Sequence, residues 1–276
     1  MNALGRPHTY TCAAASLSVY NHGAHVVAWT PAGETDVLYL SPTARLDTSD
    51  AIRGGIPVIF PWFGSGVSGL MAAPHGFART AQWHLAEVHS DQSEVTVRFT
   101  FSSSDVTSAE WSHSYEASLE IRAGRALVLA LTITNTGDSP FVFEEALHAY
   151  LRVGDSAKVT IDGLAGADYF DKVAQSACRQ VGPVEFVGET DRVYTSTADL
   201  VIHDPILQRD VRITKRDSAS TIVWNPWAEK AQTMVDLPDD GWQSFVCVEG
   251  GNVGAAAVSL RPGETHTLGY SLSVER

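Results

Sequence analysis

The sequence has few cysteines, few cations and no long apolar run, and each shortage removes a class of function. Cys12, Cys178 and Cys247 are widely spaced and form no CxxC pair, so neither a disulfide framework nor a thiolate zinc site is indicated, and no metal is expected. Reduced cytoplasm is the expected compartment. Lysine and arginine total 19 against 32 aspartates and glutamates, a balance unsuited to nucleic acid or an anionic membrane as partner. A small anionic substrate stays compatible, because about two or three local cations act through charge-assisted hydrogen bonds while net charge supplies only a weak, screened background. No stretch approaches the roughly 18 apolar residues of a membrane span, and residues 1–20 lack the charged-then-apolar pattern of an export signal. The glycines match neither GxGxxG nor GxxxxGK[ST], and GxSxG and HExxH are missing, which disfavours nucleotide, serine-hydrolase and helix-borne zinc chemistry. No Pro/Ser/Gly-rich linker or charge block interrupts the 276 residues, so one domain over 1–276 is expected, with 44% hydrophobic residues to fill its core.

What is present is alternation with period two. Val95, Val97, Phe99 and Phe101 are set against Glu94, Thr96, Arg98 and Thr100, which predicts a half-buried strand. Residues 115–121 and 126–134 repeat the pattern around Arg122-Ala123-Gly124-Arg125, predicting a hairpin with a tight turn at the glycine. Val258-Ser259-Leu260, the turn Arg261–Glu264, and Leu268, Tyr270, Leu272 and Val274 predict a terminal hairpin. No window of about 12 residues carries a capped helical period, so the expected fold is all-β, a large antiparallel sandwich. Three segments dense in glycine, proline, aromatics and charge, 53–64, 74–79 and 224–227, break the alternation and are expected at the rim, where ligand contacts arise.

Several residues in or near these segments are fit for chemistry, each with a plainer alternative. Residues 141–153 alternate so that Glu144, Ala146, His148 and Tyr150 share a face, which places His148 in mid-strand beside an aromatic hydroxyl. It is either an acid–base group or a groove histidine with a satisfied hydrogen bond. Glu249 follows the apolar run Phe245–Val248 on the face of Phe245 and Cys247, before a predicted Gly250-Gly251 turn. There it is either a solvated strand end or a carboxylate whose raised pKa suits a base near neutrality. Arg53 and Arg79 flank glycine-containing loops and either bind phosphate or satisfy loop carbonyls. His75 either binds a sugar hydroxyl or pins its loop, and His22 and His25 read as loop residues without metal spacing. The neighbours Glu144-Glu145 and Asp239-Asp240 point to opposite strand faces and read as solvated charge. Trp62, Trp224, Trp227 and Trp242 are suited either to stacking on a pyranose or to the core.

Taken together, Arg53-Gly54-Gly55-Ile56-Pro57 with Phe60-Pro61-Trp62-Phe63-Gly64, His75-Gly76-Phe77-Ala78-Arg79, Ala146–Tyr150, Thr190–Tyr194, Val223–Trp227 and Val246–Glu249 resemble the aldose 1-epimerase superfamily, and within it the glucose-6-phosphate 1-epimerase (hexose-6-phosphate mutarotase) branch. The blocks stand in that family's order between about residues 50 and 252. The resemblance implies a supersandwich of antiparallel sheets and the interconversion of α and β anomers of a hexose 6-phosphate without cofactor. Unphosphorylated aldoses, or carbohydrate binding without catalysis, are the alternatives it leaves. Carried over residue by residue, it implies His148 as general acid, Glu249 as general base, Arg53 and Arg79 as substrate and phosphate contacts, His75 as a substrate-site histidine and Asp191 as a sugar-hydroxyl ligand. Asp171 is a lesser acidic candidate. Pro74 stands where some members carry a substrate-binding glutamine, and Gly250 where many carry proline. The expected partner is a small hexose phosphate and the expected state a monomer. A β-sandwich glycoside hydrolase, the rival enzyme class, requires two carboxylates across the scissile bond instead of a histidine and a glutamate.

Overall fold

A computed structural model of the chain describes residues 3–66, 69, 71, 73–106 and 111–276. The alternating segments form strands, and every ladder between strands among the described residues is antiparallel. A nine-stranded sheet runs in the order Val184–Glu185, Thr160–Asp162, Leu200–Asp204, Arg209–Arg216, Thr265–Glu275, Ala126–Asn135, Tyr115–Ala123, Val95–Ser102, His84–Ser90. An eight-stranded sheet runs Ser176–Arg179, Asp168–Asp171, Thr190–Thr195, Ser220–Asn225, Phe245–Asn252, Glu145–Leu147, Val58–Ile59, with Tyr150–Arg152 also paired to Phe245–Asn252. Smaller sheets join His8–Thr11, Ala15–Tyr20 and His25–Pro31, and Phe141–Phe143 with Val258–Leu260. The one α-helix among the described residues is the five-residue Trp227–Ala231.

Period-two burial is why the sheets pack. In Tyr115–Ala123 the residues Tyr115, Ala117, Leu119, Ile121 and Ala123 are all buried, and Val95–Ser102 alternates in the same way. These side chains meet Leu147, Leu151, Val223, Val246 and Val248 of the eight-stranded sheet and Leu17, Val26 and Trp29 of the three-stranded one in a single apolar cluster. Each buried aliphatic side chain contributes about 1.5–3 kcal/mol. The strand Phe245–Asn252 is buried at every position because both its faces are covered. Val246 and Val248 enter the main core, whereas Phe245 and Cys247 face a second cluster with Tyr39, Tyr150 and Leu237.

Five sequence expectations are corrected. The terminal segments do not form a hairpin: Val258–Leu260 pairs with Phe141–Phe143, while Thr265–Glu275 lies between Ala126–Asn135 and Arg209–Arg216. The Arg261–Glu264 turn exists, with Glu264 N–H donating to the Arg261 carbonyl, but it links strands of different sheets. The run around His148 is not one strand, since it breaks into Phe141–Phe143, Glu145–Leu147 and Tyr150–Arg152. Gly250 and Gly251 form no turn; they continue the strand, because a Cβ on Gly251 would stand 2.6 Å from the Glu145 carbonyl oxygen. Glu144 and Glu145 are buried, not solvated. Glu144 accepts hydrogen bonds from the Phe63 and Gly254 N–H groups, and Glu145 is 2.8 Å from His266 and accepts from Asn252. The segment 53–64 is only partly a rim loop, for Val58–Ile59 joins the sheet and Phe60 is fully buried. Asp239 and Asp240 are exposed, as read.

Candidate active site

The break at His148 is what builds the site. Leu147 pairs with Gly250 and Tyr150 with Cys247, so the same register puts His148 opposite Glu249 in the gap between the two short strands. His148 Nε2 lies 3.3 Å from Glu249 Oε1, with the side chains 10% and 1% exposed. Glu249 is therefore an interior strand residue on the Phe245/Cys247 face, not a strand end. Its immediate partner is an imidazole, the arrangement expected of an epimerase and not of a glycosidase.

Burial sets the protonation of both groups. Desolvation, reinforced by His75, Arg79 and Arg53, holds the His148 imidazole well below 6.5. Desolvation, reinforced by Asp191, pushes the Glu249 carboxyl well above 4.5 against the pull of Lys172 and Arg79. A carboxylate with a raised pKa is a stronger base and an imidazolium with a lowered pKa a stronger acid. The Tyr150 ring lies parallel to the His148 ring at 4.9 Å, and Trp224 meets it edge-on at 6.1 Å, which fixes the imidazole plane.

Around the pair lies a cleft of about 340 Å³ lined by Arg53, Phe63, Pro74, His75, Arg79, His148, Tyr150, Lys172, Asp191, Ile222, Trp224, Lys230, Thr233, Met234 and Glu249. This volume lies at the small end of the range for ligand sites. Of the candidates drawn from the sequence, His148, Glu249, Arg53, His75, Arg79 and Asp191 all line it. A larger groove of about 1110 Å³ adjoins it through Phe63 and Lys172 but contains neither His148 nor Glu249.

The cations differ in how they are held. Arg53 donates through Nε to Asp236 Oδ2 at 3.2 Å and through Nη1 to the Tyr150 hydroxyl at 2.9 Å. Burial opposes its charge, yet Tyr150 and Asp236 raise its pKa overall. The Gly54 carbonyl behind it is held by His25 Nε2 at 2.7 Å, so His25 is a buried strand residue and not the loop residue read from the sequence. Arg79 donates through Nη2 to the Pro74 carbonyl, and its buried Nε has no partner among the described residues. Lys172 pairs with Asp191 at 3.4 Å and Lys230 with Glu189 at 2.5 Å, so Arg79 is the one cleft cation without a carboxylate partner among the described residues. Buried orphans also include Glu249 Oε2.

His75 takes a left-handed backbone, φ 67°, and accepts the Gly64 N–H at Nδ1, leaving Nε2 to carry the ring proton. Desolvation lowers its pKa to about 3, so it acts as a neutral donor. Asp171 instead pairs with Arg192 at 3.5 Å and caps the turn at Val173 and Ala174, outside the cleft. Trp62 donates to the Ala73 carbonyl, and Trp227 packs on Trp242, so of the four tryptophans Trp224 alone lines the cleft. Lys172, Lys230, Tyr150, Met234 and Thr233 complete the wall. Nothing in the sequence marks the two lysines, whose placement comes from the turn that follows the strand Asp168–Asp171 and from the short helix. No cluster of three metal-ligating side chains occurs among the described residues.

A family model described as aldose 1-epimerase matches residues 9–273. A protein of Escherichia coli (strain K12), provisionally named a glucose-6-phosphate 1-epimerase, is 38% identical over 230 residues, spanning 82% of this chain and 76% of that protein. A crystal structure of a provisionally named mutarotase from Salmonella typhimurium superposes with a TM-score of 0.88 at 30% identity, over 97% of this chain and 90% of that one. A galactose mutarotase-like protein from Lactobacillus casei ATCC 334, at 15% identity, shares the fold with a TM-score of 0.73 over 98% and 100% of the two chains. The chain therefore belongs to the aldose 1-epimerase family, a family of isomerases built on this antiparallel β-sandwich.

Proposed function

We propose that the protein is a hexose-6-phosphate 1-epimerase in which Glu249 is the base and His148 the acid. The observation that carries this reading is the cross-strand pair, 3.3 Å apart and buried, at the floor of a cleft whose wall bears Arg53 and Arg79. Relatives provisionally named glucose-6-phosphate 1-epimerases support the choice of substrate. Ring opening requires that Glu249 take the proton of the C1 hydroxyl while His148 gives a proton to the ring oxygen. The C1–C2 bond then rotates and the transfers reverse on closure. Opening converts carboxylate and imidazolium into carboxylic acid and neutral imidazole, the two forms that burial favours. The proton count of the pair is conserved throughout, so no metal or redox group is called on. Asp191 and His75 hold sugar hydroxyls, Trp224 faces the pyranose, and Arg53 and Arg79 hold the phosphate. Anchoring C6 in this way keeps C1 over the pair. We read the chain as a single-domain cytoplasmic monomer, a reading that its three free cysteines and one shared apolar core support.

The test is anomer-resolved NMR or polarimetry with α-glucose 6-phosphate. Wild-type protein accelerates approach to anomeric equilibrium well above buffer, and His148→Ala and Glu249→Gln each lose about 10²- to 10⁴-fold while remaining folded. Arg53→Ala raises KM for the phosphorylated sugar more than for the free one. Wild-type rates equal to buffer, or full activity in either pair variant, would sink the assignment.

A further inference from the structure

We propose that Asp236 is a positioning residue that orients Arg53 for the substrate's phosphate; the proposal rests on the hexose-phosphate reading of the cleft. Asp236 does not line the cleft, although Thr233 and Met234 of the same segment do. It stands behind Arg53 in a closed ring of three hydrogen bonds. Ser41 N–H donates to the Arg53 carbonyl at 3.0 Å, Ser41 Oγ donates to the Asp236 carbonyl at 2.7 Å, and Arg53 Nε donates to Asp236 Oδ2 at 3.2 Å. Ser41 is buried and the Asp236 side chain is 13% exposed, so the ring is sheltered from water. Tyr150 fixes Nη1 from the other side. A planar guanidinium held at Nε and Nη1 has no torsion left to choose, and Nη2 has no hydrogen-bond partner among the described residues.

Charge does not explain this carboxylate. An aspartate beside a phosphate-binding arginine cancels the attraction that the arginine provides, and Arg79 is left to supply net positive charge alone. What Asp236 contributes is direction: it keeps the Arg53 side chain from swinging toward loop carbonyls. A positioned donor is worth far more than a mobile one, since small misplacements cost one to two orders of magnitude.

Position and charge are separated by three variants. Asp236→Ala removes both, Asp236→Asn keeps a hydrogen-bond acceptor in place without charge, and Asp236→Glu keeps the charge but shifts it by one methylene. Expected for the alanine variant is a rise of about tenfold in KM for glucose 6-phosphate with kcat within about twofold. The glutamate variant rises about fivefold, and the asparagine variant stays within about threefold of wild type. Binding of inorganic phosphate, followed by calorimetry, weakens in the same order and needs no turnover. An asparagine variant as impaired as alanine overturns the proposal, as does a glutamate variant equal to wild type, or a fall in kcat matching the rise in KM. Should the alanine variant fail to fold, the asparagine and glutamate pair decides alone. If wild-type protein binds inorganic phosphate but turns over no hexose phosphate, the proposed function fails while the order of the variants still tests Asp236.

Discussion

At the scale of single residues, the pH behaviour of the site follows from two opposed shifts. Were the pair exposed, with pKa values of 4.5 for Glu249 and 6.5 for His148, it would lose its single proton above 6.5. Burial raises the carboxyl and lowers the imidazole, so the pair titrates as a coupled unit in which Glu249 keeps a proton above its ordinary range and His148 gives one up below its own. The limbs of the free enzyme's kcat/KM profile are therefore expected away from the ordinary values of 4.5 and 6.5. An alkaline limb with unit slope centred on 6.5 would show that the histidine titrates as if in water. The residue types needed for this chemistry are legible in the sequence, because His148, Glu249, Arg53, His75, Arg79 and Asp191 all stand in distinctive blocks. Their neighbours Lys172 and Lys230 are not, since a lysine in a turn and one on a short helix look like any solvated charge until their carboxylate partners are known.

At the scale of elements, the site depends on two short strands sharing one long partner. Glu145–Leu147 and Tyr150–Arg152 pair in a common register with Phe245–Asn252, and the residues left between them include His148. Asn252 ties this arrangement together, donating to Glu145 Oε1 at 2.9 Å and to the Asp217 carbonyl at 2.8 Å. Gly251 allows the strands to meet, for a Cβ there would lie 2.6 Å from the Glu145 carbonyl oxygen and 2.8 Å from Ala146 Cβ. Backbone atoms cannot yield as a flexible side chain does. Gly251→Ala is expected to cost about 1–3 kcal/mol in denaturant unfolding. Because the strain falls two residues from Glu249, kcat drops as well, by about tenfold or more. Unchanged stability and activity would mean that the strand pair tolerates separation. Alternation made strands such as Val95–Ser102 and Tyr115–Ala123 readable, but alternation through residues 141–153 concealed the two breaks. A kink that exposes one histidine to a cleft leaves period two nearly intact.

At the scale of the whole molecule, buried neutral histidines tie stability to pH. His25 is fully buried with its pKa lowered to about 3, chiefly by desolvation. Its folded value lies below 6.5, so the unfolded chain takes up the proton first as pH falls; the contribution is complete above 6.5 and is lost as pH falls toward 3. Glu145 and Glu249, raised by burial, act in the opposite sense: they favour folding below 4.5 and lose that contribution as pH rises through their folded values. The cleanest measure is consequently a difference. Between pH 7 and pH 5, His25→Gln is expected to lose about 2 kcal/mol less stability than wild type in urea unfolding. Equal losses would place His25 in contact with water. Unfolding is expected as one cooperative transition because one apolar cluster joins all four of the sheets described. The sequence by itself determined the all-β class, the strands that alternate regularly and the residue blocks that name the family, because periodicity and short motifs are local properties of the chain. Only the tertiary structure decided that Val258–Leu260 joins Phe141–Phe143, that Glu144 and Glu145 are buried and partnered, that His148 faces Glu249 across a strand break, and that Asp236 holds Arg53. Each of these is a pairing between distant segments, and such pairings are selected by the packing of both sheets at once, which no single stretch of sequence carries.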